Sequence, residues 1–246
     1  MSDTIGGKVA LILGAAGGIG AACARVLASR GALLALADID DGKLSPVVDS
    51  VADSAAQVSR HHVDITDYGQ VAATVDAVVD VFGRIDVLIN CAGVMYLRPV
   101  VEVNVAEWNT MVELNLKGTM WAVAAALPVF LRLGGGHIVS LGSVHGRKVS
   151  PGSAAHSASK FGVNAFAEGL RAELAPYAIR VTTVNPGAVD TGMQNKSTGI
   201  ERGRLDEIYR SAMPVDIIAR AIAFAIEQPG ETSINEIVVR STSQRI

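Results

Sequence analysis

With 246 residues, half of them hydrophobic and 18% charged, the chain carries enough apolar material for one large core within the length of a single α/β domain. Its formal net charge of −3, with no block of like charge, argues against a non-specific nucleic-acid or anionic-membrane surface. Two cysteines, Cys23 and Cys91, form neither a disulfide framework nor a metal spacing, and Asp3 just ahead of a first strand is unlike a secretory signal, so a reduced, cytoplasmic setting is expected.

Taken in chain order, aliphatic and β-branched runs alternate with longer helical patterns. A strand over 8–13 runs into Gly14-Ala-Ala-Gly-Gly18-Ile-Gly20, where a helix over 19–30 opens. A strand over 33–37 leads to Asp38 and a helix over 41–53. Strand 57–63 precedes helix 67–82, which Thr66 or Asp67 can cap and Gly83 can end. Strand 85–89, a long helix over 105–133, strand 137–141 and helix 156–177 follow, with Gly134-Gly-Gly136 closing the long helix. Strand 180–184, helix 215–227 and strand 236–239 complete the pattern.

Strands apolar on both faces and joined through helices predict a parallel sheet covered on each side. The expectation is one α/β domain over 1–246: a single-domain Rossmann fold, a seven-stranded parallel sheet with helices on both faces. The longest irregular stretch, 188–204, is rich in Gly, Thr and Ser and is a lid candidate. The most apolar helical stretch, 120–131, is interrupted by Pro128 and falls short of the roughly 20 residues that span a bilayer.

The turn at Gly14 lets backbone N–H groups approach a pyrophosphate, and the following helix N-terminus adds a favourable dipole. Asp38 ends the second strand 18 residues after Gly20, placed to accept hydrogen bonds from an adenosine ribose and to repel a 2′-phosphate. NAD is therefore expected over NADP.

The spacing Gly-x-x-x-Gly-x-Gly resembles that of the short-chain dehydrogenase/reductase family, and the likeness runs over nearly the whole chain. Asp64-Ile65 resembles the pair that the family sets beside adenine, and Asn90-Cys-Ala-Gly93 resembles its Asn-Asn-Ala-Gly segment, with Cys91 replacing the second Asn. Pro186-Gly187 with Val189 and Thr191 resembles the stretch that contacts nicotinamide, while Leu13 replaces a common threonine. The resemblance thus implies a cofactor seat of Gly14, Gly18, Ile19, Gly20, Asp38, Asp64, Ile65, Asn90, Ala92, Gly93, Lys160, Pro186, Gly187, Val189 and Thr191.

It also implies a catalytic group with one irregular member. Asn115 matches the family's helical asparagine, which helps hold a water relay, and Ser143 matches the serine that hydrogen-bonds the reacting oxygen. Thirteen residues after that serine the family places a tyrosine, and four further on a lysine that binds the nicotinamide ribose and lowers the phenol pKa. Here those positions hold His156 and Lys160, which share one helix face.

Three readings of His156 stand side by side. Its imidazole is the general acid/base, kept mostly neutral by the Lys160 cation, roughly two ångströms shorter than a phenol and reaching substrate through a water. Or the substrate is an iminium that needs little proton transfer, making the protein an imine reductase. Or turnover has been lost or removed, leaving an NAD-binding protein or scaffold. The leading expectation is an NAD-dependent oxidoreductase acting on a small secondary alcohol or ketone, with His156 exchanging the proton.

His145, two residues after Ser143, sits at the expected rim, as a proton donor or as a solvent-exposed loop histidine. His61 and His62 lack a third ligand at metal spacing, so no metal site is expected. By analogy Val94, Met95, Tyr96, Val144, Val149 and Met193 would line an apolar substrate pocket. No glycine-flanked hydrolase elbow surrounds Ser143. The resemblance further implies a homodimer or homotetramer through the helices at Asn115 and His156. The closing segment from Glu236 looks like that of reductases for small hydroxy acids or related alcohols.

Overall fold

The computed structural model describes residues 5–193, 197, 199 and 202–244. Seven strands, β1 (Val9–Leu13), β2 (Leu33–Asp38), β3 (Gln57–His62), β4 (Val87–Asn90), β5 (Gly136–Leu141), β6 (Ile179–Pro186) and β7 (Glu236–Val239), form one sheet. Every pair is parallel and the order is β3-β2-β1-β4-β5-β6-β7, a doubly wound arrangement whose direction reverses between β1 and β4. Around it lie α1 (Gly18–Ala28), α2 (Asp41–Val51), α3 (Tyr68–Phe82), α4 (Val105–Met111), α5 (Gly118–Leu133), α6 (Ala154–Leu174), α7 (Arg202–Tyr209) and α8 (Val215–Ile226).

The alternation of side chains along a strand divides the core in two. Ala10 and Ile12 of β1 pack with α1, α2 and α8, whereas Val9, Leu11 and Leu13 pack with α3, α5 and α6. The strands read as continuous apolar runs because both faces are covered; β1 is buried at all five positions.

Local chemistry sets the element ends. Asp67, rather than Thr66, caps α3 by accepting from the Gly69 and Gln70 N–H groups, and Gly83 ends it at φ 77°. Asp40 caps α2 through the Lys43 N–H. Gly134, at φ 72°, closes α5, but Gly136 already belongs to β5.

The expected long helix over 105–133 is not uniform. Between α4 and α5 the chain runs through one π-helical segment, Val112–Lys117. The extra residue in that turn accompanies a tertiary anchor: the buried Asn115 amide reaches the loop after β4. Pro128, expected to interrupt, lies inside α5, where Ala126, Val129 and Phe130 are buried on both sides of it. Proline is costly in a helix interior, and packing against the sheet overrides that cost here. The run Val105–Leu133 is thus long and apolar enough to cross a bilayer, correcting the estimate from sequence; its apolar faces meet α3, β4, β5 and α6.

The irregular stretch expected over 188–204 is also shorter than expected. Val189 bridges Met213, and α7 begins at Arg202; positions 194–196, 198, 200 and 201 lie outside the described residues. An eight-residue, largely polar segment with Gly203 inside it carries little apolar periodicity to announce a helix.

Candidate active site

The glycine turn leaves β1 with little room for side chains. Gly14 sits at φ 82°, and a Cβ there would stand 2.4 Å from the Ala92 nitrogen. A Cβ on Gly20 would meet the Gly14 carbonyl oxygen at 2.1 Å. The Gly14 and Ala15 N–H groups donate to the Ala37 carbonyl at 2.9 and 3.1 Å, tying the turn to β2. Asp38 accepts the Ala16 N–H at 2.9 Å and the Asp40 N–H at 3.0 Å. Its carboxylate therefore braces the turn, and each oxygen still has acceptor capacity toward the cleft.

A cleft of about 540 Å³ opens at the carboxyl ends of the strands, at the point where strand order reverses. Gly14, Gly18, Ile19, Gly20 and Asp38 line one end. Asp64, Ile65, Ala92 and Gly93 line its wall, and Pro186, Gly187, Val189 and Thr191 line the far side. Asn90 lies buried beneath, its Nδ2 donating to the Ser140 hydroxyl at 3.2 Å. The Asp64 carboxylate is taken up locally by the Thr66 N–H and hydroxyl at 2.9 and 2.7 Å. The first turn of α1 has a glycine N-cap that makes no side-chain hydrogen bond, which leaves its N–H groups without a side-chain acceptor and suited to an anion. A glycine cradle that a Cβ would fill, uncapped N–H donors and a carboxylate one strand away fit a dinucleotide.

Ser143, His156 and Lys160 meet in the same cleft. Ser143 follows β5; its N–H donates to Asn185 Oδ1 at 2.9 Å, and its hydroxyl accepts the His145 N–H at 3.1 Å. Lys160 Nζ donates to the Leu141 carbonyl at 2.7 Å, and burial brings its pKa down to about 8. Asn115 is buried under this group rather than lining the cleft. Its Oδ1 accepts the Val94 N–H at 2.8 Å, while Nδ2 donates to the Val94 carbonyl at 2.9 Å and the Ser159 hydroxyl at 3.0 Å.

His156 is 4% exposed and its Nδ1 has no hydrogen-bond partner among the described residues. Burial lowers its pKa to about 3; the Lys160 cation and His145 add to the effect and the Val94 carbonyl opposes it. The ring is neutral at pH 7. His145 is half-buried rather than a free surface histidine. Its ring stands edge-on to His156 at 5.7 Å between centroids, and its Nε2 pairs with the Ser150 hydroxyl at 3.1 Å.

The substrate end differs from the sequence expectation. Val94, Met95 and Met193 line the cleft; Tyr96, Val144 and Val149 do not, and Val149 is exposed. Tyr209, unassigned from sequence, enters from α7, and burial pushes its phenol up to about 12. Only the helical placement of α7 reveals it. Cys23 and Cys91, distant in sequence, lie together under the glycine turn, and the hydrogen bond that the Cys23 thiol shares with Cys91, plus burial, raises that thiol well above its ordinary pKa. His61 pairs with Ser59 and His62 with Asp41, so each ring already has a protein partner.

A parallel sheet with this cleft at its switch point is the architecture of Rossmann-type proteins. Residues 8–201 match the family model described as short chain dehydrogenase, and the chain belongs to that family of oxidoreductases. An uncharacterized oxidoreductase of Staphylococcus saprophyticus is 37% identical over 234 residues, 95% of this chain and 97% of the relative. Among solved structures, an alcohol dehydrogenase from Thermococcus sibiricus complexed with 5-hydroxy-NADP superposes with a TM-score of 0.87 at 29% identity, covering 97% of this chain and 98% of that one. Carveol dehydrogenase from Mycobacterium avium in complex with NAD gives 0.87 at 27% identity, covering 98% of each.

Proposed function

We propose that the protein is an NAD-dependent oxidoreductase acting on a small secondary alcohol or its ketone, with His156 in the place of the family's catalytic tyrosine. One observation carries this reading: Ser143, His156 and Lys160 share a cleft whose other end is the glycine turn braced by Asp38. Gly14, Gly18, Ile19 and Gly20 hold the pyrophosphate, Asp38 the adenosine ribose and Lys160 the nicotinamide ribose. Pro186, Gly187, Val189 and Thr191 seat the nicotinamide, which when bound supplies the hydride acceptor or donor.

Ser143 orients the substrate oxygen through its hydroxyl. His156, neutral at pH 7, accepts the proton of an alcohol at a ring nitrogen or donates a ring N–H toward a ketone oxygen. Asn115 holds the Val94 backbone, and thereby the wall facing the substrate. Val94, Met95, Met193 and Tyr209 favour a substrate with an apolar body. A carboxylate at position 38 repels the 2′-phosphate of NADP, which is the ground for choosing NAD. Cysteine usage supports a cytoplasmic setting, and the family resemblance supports a homodimer or homotetramer, with Met120 of α5 and Phe161 of α6 offering exposed apolar surface for assembly.

Nicotinamide absorbance over a panel of secondary alcohols and ketones tests this reading. Turnover is expected, with His156→Ala losing most of it; unchanged activity in that variant removes histidine from its assigned role. A second reading, a disabled NAD-binding protein, is favoured by the low basicity of the His156 ring. A large gain in His156→Tyr over a silent native protein would establish it.

A further inference from the structure

Two features in and beside this cleft lie outside the family resemblance, and their rings pack on each other. One is an imidazole where a phenol is expected, at His156; the other is His145, on the short 3-10 turn Val144–Gly146 after β5. Their rings meet edge-on at 5.7 Å, with an interplanar angle of 81°. Among the described residues neither ring faces a carboxylate. His156 meets Lys160 on its own helix, His145 on the turn and the Val94 carbonyl beyond β4. The charged neighbours of His145 in sequence, Arg147 and Lys148, are exposed, and Arg147 is paired with Glu236.

A buried imidazole that takes a proton from substrate must pass one on to turn over again. Among the described residues the other polar side chains near His156 are turned elsewhere: Lys160 Nζ gives one of its three donors to the Leu141 carbonyl, and Asn115 bonds Val94 and Ser159. His145 has an outlet. Its Nε2 pairs with the hydroxyl of Ser150, an exposed residue, at 3.1 Å. The Ser150 hydroxyl in turn donates to Ser153 at 3.3 Å.

We propose that His145 is the proton-sharing partner of His156, and that the two imidazoles with Ser150 carry the substrate proton between the cleft and solvent. The inference rests on the functional reading above and specifies how its proton moves. In alcohol oxidation the substrate O–H bond breaks and its proton joins a ring nitrogen of His156. The two rings share no direct hydrogen bond among the described residues, so an N–H bond at His156 breaks as one forms on a bridging water, that water gives a proton to His145, and a proton leaves through the Ser150 hydroxyl to bulk solvent. These steps move protons only; the electron pair leaves the substrate carbon with the hydride. The His145 ring disfavours charge on His156, so His156 carries the extra proton only in passing. His145 acts through His156 and is a positioning residue, without contact to the reacting atoms.

The test combines spectroscopy on the cofactor-free protein with a double-mutant cycle. Imidazole 15N resonances of the native protein should show His145 and His156 titrating as a coupled pair, with His156 following a single-site curve in His145→Phe. A His156 curve that is the same in native protein and His145→Phe overturns the proposal. In turnover, His145→Phe and His145→Gln should each lower kcat at least tenfold in the native background, with the cofactor KM moving less than twofold. In the His156→Tyr background the cost should be at least fivefold smaller, because the phenol does not need the second ring. Equal costs in both backgrounds mean a structural role for His145 and contradict the proposal. Absence of turnover in every background defeats the functional reading itself, and the titration still decides the pairing.

Discussion

At the scale of single residues, Asp38 shows how one side chain serves both fold and chemistry. Its position at the end of β2 marks it as a ribose acceptor from sequence; its bonds to the Ala16 and Asp40 N–H groups are invisible there, since they depend on how the glycine turn folds back over β2. Asp38→Ala should therefore do two things. Isothermal titration should find NAD binding weakened at least tenfold and the NAD-to-NADP preference narrowed. Urea unfolding should find about 1–2 kcal/mol lost, because partly buried N–H donors lose their acceptor. A variant that loses NAD preference with unchanged stability would contradict the bracing role. His156 illustrates the other limit of sequence: its place relative to Ser143 and Lys160 was legible, whereas its burial and its contact with His145 come from how the turn after β5 packs on α6.

At the scale of elements, the strongly periodic segments were legible and the irregular ones were not. The seven strands and the helices on both faces follow from runs of Val, Leu, Ile and Ala that only a doubly covered sheet buries. The π-helical segment at Val112–Lys117 left no periodic trace because one extra residue shifts the helix face by less than a turn's worth of pattern. Its anchor is Asn115, whose amide makes three hydrogen bonds to the Val94 backbone and Ser159. Asn115→Ala should cost about 2–4 kcal/mol in chemical denaturation, as buried partners go unpaired, and should increase amide exchange at Val94. A loss below about 0.5 kcal/mol with unchanged exchange would show that the segment does not depend on this anchor. The helix α7 escaped for a different reason: eight largely polar residues fix their conformation through Leu205 packing on Met95 and Leu97, a contact far away in sequence.

At the scale of the whole molecule, the buried histidines tie stability to pH. Burial and the Lys160 cation hold His156 at about 3 against an ordinary 6.5, so the unfolded chain binds that proton first as pH falls. Stability rises with pH through this window: the contribution is fully present above about 6.5 and is lost between about 6.5 and 3. Burial also pushes His137 well below its ordinary value, with the same sign. The urea midpoint should fall steadily from pH 7 to pH 4, and His156→Gln should show a shallower fall. Parallel slopes would mean that the ring is not held neutral in the folded protein.

The whole architecture converges on one cleft, and the central claim is that His156 turns it over with NAD. The most direct measurement is nicotinamide reduction by native and His156→Tyr protein across one panel of secondary alcohols, with NAD and NADP compared. The expected result is turnover by the native protein, with NAD preferred and His156→Ala strongly impaired. A native protein that binds NAD yet reduces none of it, while His156→Tyr gains activity, would contradict the claim.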